Sequence, residues 1–321
     1  MSSKEVSVVI PTYKRYEDII KTLESLNNQT LPPDEVIIFD ESPTDELRRI
    51  IKAQRFCYPV KYIRSPSKFR SLARSRNKAK KLVKGRTVVF LDDDVILSPD
   101  YLERIVKFFS DNSHVKGVTG LIINQTKLSK IYQLMNMVFL RPHKTEVPAV
   151  QRSFVPTYPE PSMFKSAPAQ WLSGCNMAYR REVLESMDFD WRLLKYSYSE
   201  DVDFSFRVYK KYGEGSLWLL PDAKLIHNQS PSGRLLGFNL EAHRRVVNLY
   251  MLYKHFGDTR LNILVFLWWN IGEILEQVLG GILHGELRDR IKNVKVILKA
   301  MKFTFENFGR IKKGDIIQLQ L

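Results

Sequence analysis

The chain opens with apolar runs that alternate with amphipathic stretches, and that alternation leaves few folds open. Residues 6–10 read as a strand ending at Pro11, and Ile19, Ile20, Leu23 and Leu26 then recur at helical spacing. Residues 36–39 form a second run, closing on Asp40 and Glu41, and residues 60–63 a third. Residues 87–91 form a fourth, continuous and apolar, closing on Asp92. Ser98-Pro99-Asp100 then predicts a helix start, with Ser98 as cap and Pro99 in the first helical position. Strands alternating with helices predict an α/β layer around a mostly parallel sheet. Polar residues gathered past the strand ends mark the crevice where such sheets take ligands.

The remainder is less regular. Six prolines (142, 148, 156, 159, 161 and 168) fall within residues 141–170, which predicts a long irregular loop. A strand over residues 176–179 and a helix over 201–212, ended by Gly213, follow. Two short strands are expected at 217–220 and 224–227, and beyond about Leu235 the chain is helical and apolar-basic. Apolar residues at 44% and charged residues at 26% exclude disorder and fibrous repeats. Two cysteines, Cys57 and Cys175, are too few for a disulfide scaffold and fit a reducing compartment. Fifty Lys and Arg against 35 Asp and Glu give a net charge of +15, which points to an acidic partner: nucleic acid, nucleotide phosphate or an anionic membrane. The polar N-terminus predicts no signal peptide. The longest uncharged apolar run, residues 261–272, has 12 residues, so no spanning helix is expected.

Four clusters could carry chemistry. Asp92-Asp93-Asp94 follows the apolar strand, and alternation puts Asp92 and Asp94 on one side with Asp93 opposite. Such carboxylates repel one another unless neutralised, and hard oxygens suit Mg2+ or Mn2+ bound with a substrate's phosphates; the plainer alternative is an acidic turn before the Pro99 helix. Residues 64–86 hold ten Lys and Arg and no acid. There Leu72, Ala79 and Val83 form an apolar stripe, and Arg76 falls on it, so its charge needs a partner such as the Asp92–Asp94 cluster or a diphosphate. Arg70, Arg74, Lys78 and Lys81 read as plain surface. Ser199-Glu200-Asp201-Val202-Asp203 starts a helix whose Asp203 can pair with Arg207, leaving Glu200 or Asp201 free to face a cleft as general base. His227 follows a short strand and gains weight only beside a metal site.

These motifs resemble glycosyltransferase family 2. Pro11-Thr12-Tyr13-Lys14-Arg15 is similar to its opening motif, Asp40-Glu41-Ser42 to its second, and Leu72-Ala73-Arg74-Ser75-Arg76-Asn77 to its Ala-Arg-Asn helix. Asp92-Asp93-Asp94 looks like its DXD motif, Trp171-Leu172-Ser173-Gly174-Cys175-Asn176-Met177 with Arg180-Arg181 like its acceptor-side segment, and Glu200-Asp201 with Arg207 and Gly213 like its Glu-Asp motif. Order and spacing agree over residues 6–230. Pro43 departs from the pattern.

The resemblance implies a GT-A fold, a mixed, mostly parallel Rossmann-like sheet flanked by helices, and an inverting, metal-dependent transfer from a nucleoside-diphosphate sugar, UDP- or dTDP-linked. It implies that Pro11, Thr12 and Tyr13 border the base with Arg15 nearby, and that Asp40 accepts from a uracil or thymine ring N–H. Arg76, Asp92 and Asp93 join the nucleotide-sugar site, with Asp92 contacting either the ribose or the metal. Asp92, Asp94 and His227 hold Mn2+ or Mg2+, Asp201 is the base with Glu200 as runner-up, and Trp171, Gly174 and Asn176 take the acceptor. The acceptor would be a glycan or lipid-linked hydroxyl in polysaccharide or oligosaccharide synthesis.

The expected layout is a catalytic domain over residues 1–235, split near 120 into donor and acceptor halves, and a helical extension over 236–321. Residues 288–313 carry nine Lys or Arg and two acids, beside a stripe of Ile291, Val294, Leu298, Met301 and Phe305. With Phe266, Trp268 and Trp269 upstream, this predicts helices lying on an anionic membrane, hence a cytoplasmic protein peripheral on the inner face. Simple cover for the sheet, or a homodimer contact, is the alternative. A nucleic-acid-binding protein would account for the basic run but not for the carboxylates. A sugar-nucleotide nucleotidyltransferase would need a Gly-rich loop where Pro11-Thr12-Tyr13 stands.

Overall fold

Every residue of β1 (Val6–Thr12), like those of the next two central strands, is buried, as strands covered on both faces require. The computed structural model describes residues 5–68, 70–125, 129–230 and 235–320. After β1 come α1 (Tyr16–Asn27), β2 (Glu35–Asp40), α2 (Glu46–Lys52), β3 (Val60–Arg64), α3 (Leu72–Ala79), β4 (Thr87–Leu91), β5 (Val95–Leu97) and α4 (Tyr101–Asp111). The middle holds β6 (Gly117–Ile122), α5 (Lys130–Val138), β7 (Lys144–Thr145), β8 (Tyr158–Pro159), β9 (Ala167–Pro168), β10 (Asn176–Arg180), α6 (Arg181–Ser186), α7 (Glu200–Tyr212) and β11 (Leu217–His227). Four helices follow: α8 (Gly237–Phe256), α9 (Leu261–Leu283), α10 (Leu287–Glu306) and α11 (Phe308–Lys312).

The sheet runs β3-β2-β1-β4-β10-β6-β11-β5, with β9 on β11. Pairing is parallel from β3 to β4 and between β6 and β11, and antiparallel where β10, β5 and β9 join. Period-2 alternation sorts the central strands: Val8, Ile10, Val36, Ile38, Val89 and Leu91 pack under α1 and α4, while Val9, Ile37, Phe39, Val88 and Phe90 pack toward α3 and α7. A third core joins Phe154, Trp171, Val202 and Phe206 to Val246, Leu249, Phe266 and Trp269, so the C-terminal helices share apolar contacts with α7.

Three boundaries differ from the sequence reading. β1 continues through Pro11, because its pairing to β4 ends at Val9 and a missing N–H beyond that point removes no bond on that side. Helix α4 starts at Tyr101; Ser98 Oγ donates to Asp100 Oδ1 (3.0 Å) instead of capping a backbone N–H. The two expected strands at 217–227 are one, β11, with a register shift between Leu220 and Lys224. Among the described residues, α9 is the one helix long and apolar enough to cross a membrane by length and composition. The count of 12 uncharged residues understates it because Glu273 and Glu276, which interrupt the run, are ion-paired: Glu273 with Arg244 and Arg245, and Glu276 with Arg141.

Candidate active site

The turn between β4 and β5 presents the three carboxylates, and the sheet brings His227 to them: β5 pairs with β11 so that Val95 lies opposite His227. Asp93 turns toward β1, where it accepts from Thr12 Oγ1 (2.6 Å) and Arg15 (2.8 Å). Asp92 and Asp94 face His227, and the ligand atoms of the three lie within 4.8 Å of one another. Asp94 Oδ2 accepts from the Ser230 N–H (2.8 Å) and from Arg15 (3.2 Å). Its Oδ1 is buried and lies 3.1 Å from His227 Nε2, with which it forms an ion pair when the imidazole is protonated. A buried carboxylate oxygen facing a second carboxylate and an imidazole, all three converging on one point, suits a small divalent cation of the Mg2+ or Mn2+ class. Burial pushes the Asp93 carboxyl up to about 7, against the pull of Arg15 and Thr12. Burial lowers His227, but Asp94, Cys175 and Asp92 outweigh it and raise the imidazole to about 11. Without a cation, His227 together with Arg15 and Arg76 offsets the charge of Asp92 and Asp94.

Asp92 and His227 also form part of the wall of a cavity of about 430 Å3, together with Tyr158, Trp171, Gly174 and Asp201. Asp201 sits at the start of α7, behind Ser199, whose left-handed backbone (φ 61°) turns the chain into the helix. Its Oδ2 accepts from the Gly174 N–H and its Oδ1 from the Val202 N–H, both at 2.9 Å. Burial raises the Asp201 carboxyl, with these two N–H groups and Arg76 opposing and Asp92 adding to the rise. Gly174 permits this approach, since a Cβ there would lie 3.0 Å from Asp201 Cβ and Oδ2. Trp171 is fixed by its Nε1 donating to Thr157 O (3.0 Å).

Glu200 has a different partner. It is buried against Arg76, whose guanidinium is wholly buried and also donates to Gly174 O (2.7 Å) and reaches Asp92 (3.4 Å). Arg76 therefore ties α3, the Asp92 turn, the Gly174 loop and α7 together. Glu200→Gln should lower unfolding stability by about 2–3 kcal/mol, below the usual ~3–5 kcal/mol for breaking a buried pair because Arg76 keeps two partners. Urea unfolding with no measurable loss would show that Glu200 is not its structural counter-ion.

A smaller cavity of about 90 Å3 adjoins the first, sharing Leu72, Asp92 and Tyr196 with it. Pro11, Thr12, Tyr13, Arg15 and Asp93 contribute to its walls, and the Arg70 guanidinium lies 3.7 Å from the Tyr13 ring centroid. Two sequence assignments need correction here. Asp40 is fully buried, with its oxygens accepting from the Ser42 N–H (2.7 Å) and Tyr62 OH (2.6 Å), so it does not face the cleft. The acid that does is its neighbour Glu41, raised to about 7 by burial and accepting from the Ser71 N–H at 3.2 Å. Asn176 likewise stays inside the sheet, accepting from Thr119 Oγ1 (2.6 Å) and donating to Gly120 O (3.0 Å), so it offers nothing to an acceptor.

At least half of the ten cations of the basic run are engaged by the protein itself, Arg76 among them. Arg74 donates to Trp191 O (2.8 Å), Arg64 pairs with Asp45, Lys80 with Asp188, and Arg70 covers Tyr13, so Arg70 and Arg74 are more than plain surface. Asp203 meets Arg207 as expected, and also Lys254 (2.6 Å) and His255 (2.8 Å) of α8.

The sequence model of Glycosyl transferase family 2 matches residues 7–187, more than half of the chain. The chain belongs to that family. Family relatives include an uncharacterized glycosyltransferase of Haemophilus influenzae, 32% identical over 113 residues, which are 35% of this chain and 37% of that protein. Validoxylamine A glucosyltransferase of Streptomyces hygroscopicus subsp. limoneus is 30% identical over 117 residues, 36% of this chain and 26% of its own. The putative teichuronic acid biosynthesis glycosyltransferase TuaG of Bacillus subtilis is 34% identical over 118 residues, 36% and 46% of the two chains. The matches thus span less than half of each relative. Among solved structures, GalNAc-T7 with UDP, GalNAc and Mn2+ superposes with a TM-score of 0.57 at 17% identity, covering 80% of this chain and 50% of that one. Residues 1–349 of S. aureus TarS superpose with a TM-score of 0.54 at 16% identity, covering 96% and 90%. At such identities the likeness establishes the fold: this member of the family has the GT-A architecture.

The site also contains residues that sequence reading passes over. Lys144, His143 and Tyr158 reach the larger cavity from the proline-rich loop, and Tyr196 stands between the two cavities. No short motif marks them: Lys144 and Tyr158 are brought together by the two-residue strands β7 and β8, too short to read from sequence.

Proposed function

We propose that this family 2 enzyme transfers a sugar, with inversion, from a uridine-type nucleoside-diphosphate donor to a glycan hydroxyl, with a divalent cation at Asp92, Asp94 and His227. The observation that carries this reading is that the carboxylate–imidazole cluster and Asp201 open onto the same cavity. In-line displacement at an anomeric carbon needs charge neutralisation at the leaving diphosphate and a proton acceptor at the incoming hydroxyl. A bound Mn2+ or Mg2+ supplies Lewis-acid stabilisation of the leaving diphosphate. The chain's own groups do the rest. Asp201 takes the acceptor proton as the hydroxyl oxygen attacks and the bond to the diphosphate breaks. The N–H groups of Gly174 and Val202 hold that carboxylate in place. Trp171 and Tyr158 offer the apolar faces on which an acceptor sugar ring can lie. The UDP in the GalNAc-T7 structure supports a uridine nucleotide, and the name of TuaG supports a role in polysaccharide synthesis.

Glu41 is the group suited to read the base, accepting from the ring N–H that uracil has and cytosine lacks. Thermal shift and competition binding with Mn2+ present should show UDP stabilising the chain and CDP binding about tenfold or more weaker, in line with ~1–3 kcal/mol for one buried hydrogen bond. Glu41→Gln should narrow that gap. CDP binding as tightly as UDP would remove Glu41 from the role, and no stabilisation by any nucleoside diphosphate would refute the donor class. Against the nucleic-acid reading stand the engagements of Arg64, Arg74, Arg76 and Lys80 within the fold.

A further inference from the structure

The expectation of a basic C-terminal tail on a membrane names neither a face nor a relation to the active site. We propose that the outward faces of α5, α9 and α10 form one docking surface for an anionic lipid bilayer, which sets the acceptor cavity beside the lipid headgroups. On α9, Leu264, Trp268, Ile271, Leu275, Leu279 and Ile282 are exposed at steps of three and four residues, so they form a single stripe. The opposite face of α9 is already used, burying Val265, Phe266, Trp269 and Glu273. On α5, Ile131, Leu134 and Met137 are exposed, Ile131 at 70%. The two faces are continuous: Trp268 Nε1 donates to Val138 O (2.8 Å), and the Phe139 and Trp268 rings lie 4.7 Å apart. Exposed apolar surface of this extent marks an interaction site.

Charge identifies the occupant. Ile291 and Leu298 of α10 are exposed with Lys292, Lys295, Lys299 and Lys302 alongside them. A second copy of the chain would bring two such lysine rows together in a protein of net charge +15, whereas anionic headgroups complement them. The chain lies on the bilayer rather than inserting α9 across it. Insertion would separate Glu273 from Arg244 and Arg245, both in α8, and Glu276 from Arg141. Gln133, on α5, donates to Lys144 O (2.9 Å) and accepts from its N–H (3.1 Å), and Lys144 lines the acceptor cavity. The docking surface is therefore one element away from the site, where a hydroxyl of a lipid-linked acceptor would arrive.

The test is sedimentation of the full chain with vesicles of phosphatidylcholine alone or with about one third phosphatidylglycerol, without donor or acceptor, so that its outcome is separate from catalysis. The chain should sediment with the anionic vesicles at low salt and progressively less at high salt. Leu264→Ser with Ile271→Ser, and separately Ile131→Ser with Leu134→Ser, should each lower partitioning about tenfold, with unchanged thermal unfolding midpoints. Lys292→Gln with Lys295→Gln and Lys299→Gln should flatten the salt dependence. Three results overturn the proposal: no binding to anionic vesicles at low salt, serine variants that bind like the wild type, or a dimer in equilibrium sedimentation that the serine substitutions dissociate while vesicles are ignored.

Discussion

Asp201→Asn is expected to lower turnover by about 10²-fold or more, the usual contribution of a general base, while UDP and Mn2+ binding survive. Both Asp201 oxygens accept backbone N–H groups, from Gly174 and Val202, and an amide keeps only one acceptor. The variant should therefore also lose about 1 kcal/mol of stability, too little to unfold it. The pH profile gives an independent check. Burial raises the Asp201 carboxyl above the usual range, and a protonated carboxyl cannot take the acceptor's proton. Wild-type kcat/KM should accordingly fall as pH drops through that raised pKa, and the residual activity of the Asn variant should lack this acid limb. Glu200→Gln is the control, because its carboxylate neutralises Arg76. Its folded fraction should keep most of its turnover. Near-normal turnover in Asp201→Asn with collapse in folded Glu200→Gln would transfer the role to Glu200. Normal turnover in both would mean that an inverting transfer with a protein base is the wrong mechanism.

What could be read in advance follows from which signals are local. Strands β1, β2, β3 and β4 are short apolar runs bounded by turn residues, and their pattern alone carries the parallel half of the sheet. β6 is just as central, but Gly117 and Gly120 dilute its β signal, and its neighbours β10 and β11 are distant in sequence. The separation of Asp93 from Asp92 and Asp94 matches the alternation expected of an extended chain, although the three residues lie in the turn between β4 and β5. The choice between Asp40 and Glu41 does not, because it depends on Tyr62 of β3 closing over one acid of an adjacent pair. Asn176 misleads in a similar way. Its motif is genuine, but its side chain is absorbed by a cross-strand bond to Thr119 that only the β10–β6 register creates. Arg76 was legible as a buried cation needing a partner. Its main partner, Glu200, lies 124 residues away, and spacing does not encode such a contact. The apolar stripe of α9 escaped because two glutamates interrupt the run, and only tertiary structure shows that arginines neutralise both.

Asp94→Asn should remove the Mn2+-dependent part of UDP binding, whereas Asp93→Asn should leave most of it. The distinction is geometric. Asp94 Oδ1 is buried and lies 3.1 Å from His227 Nε2, within the cluster that includes Asp92, and replacing Asp94 by an amide removes a charge from the centre of that cluster. The two remaining groups, one of them an imidazole, hold a hard dication poorly. Asp93 faces the other way, and its work is to accept from Thr12 and pair with Arg15. Its loss should therefore appear as reduced stability, with Arg15 left beside Asp94 as a second-best partner. Calorimetric titration of each variant with UDP, with and without Mn2+, separates the two effects, and thermal unfolding of the free proteins reports the structural part. Weak, metal-independent UDP binding should persist in Asp94→Asn, because Tyr13, Glu41 and Arg70 of the smaller cavity are untouched. Equal losses of Mn2+-dependent binding in the two variants, or no loss in either, would remove the cation from Asp94 and leave His227, Arg15 and Arg76 to offset the carboxylates.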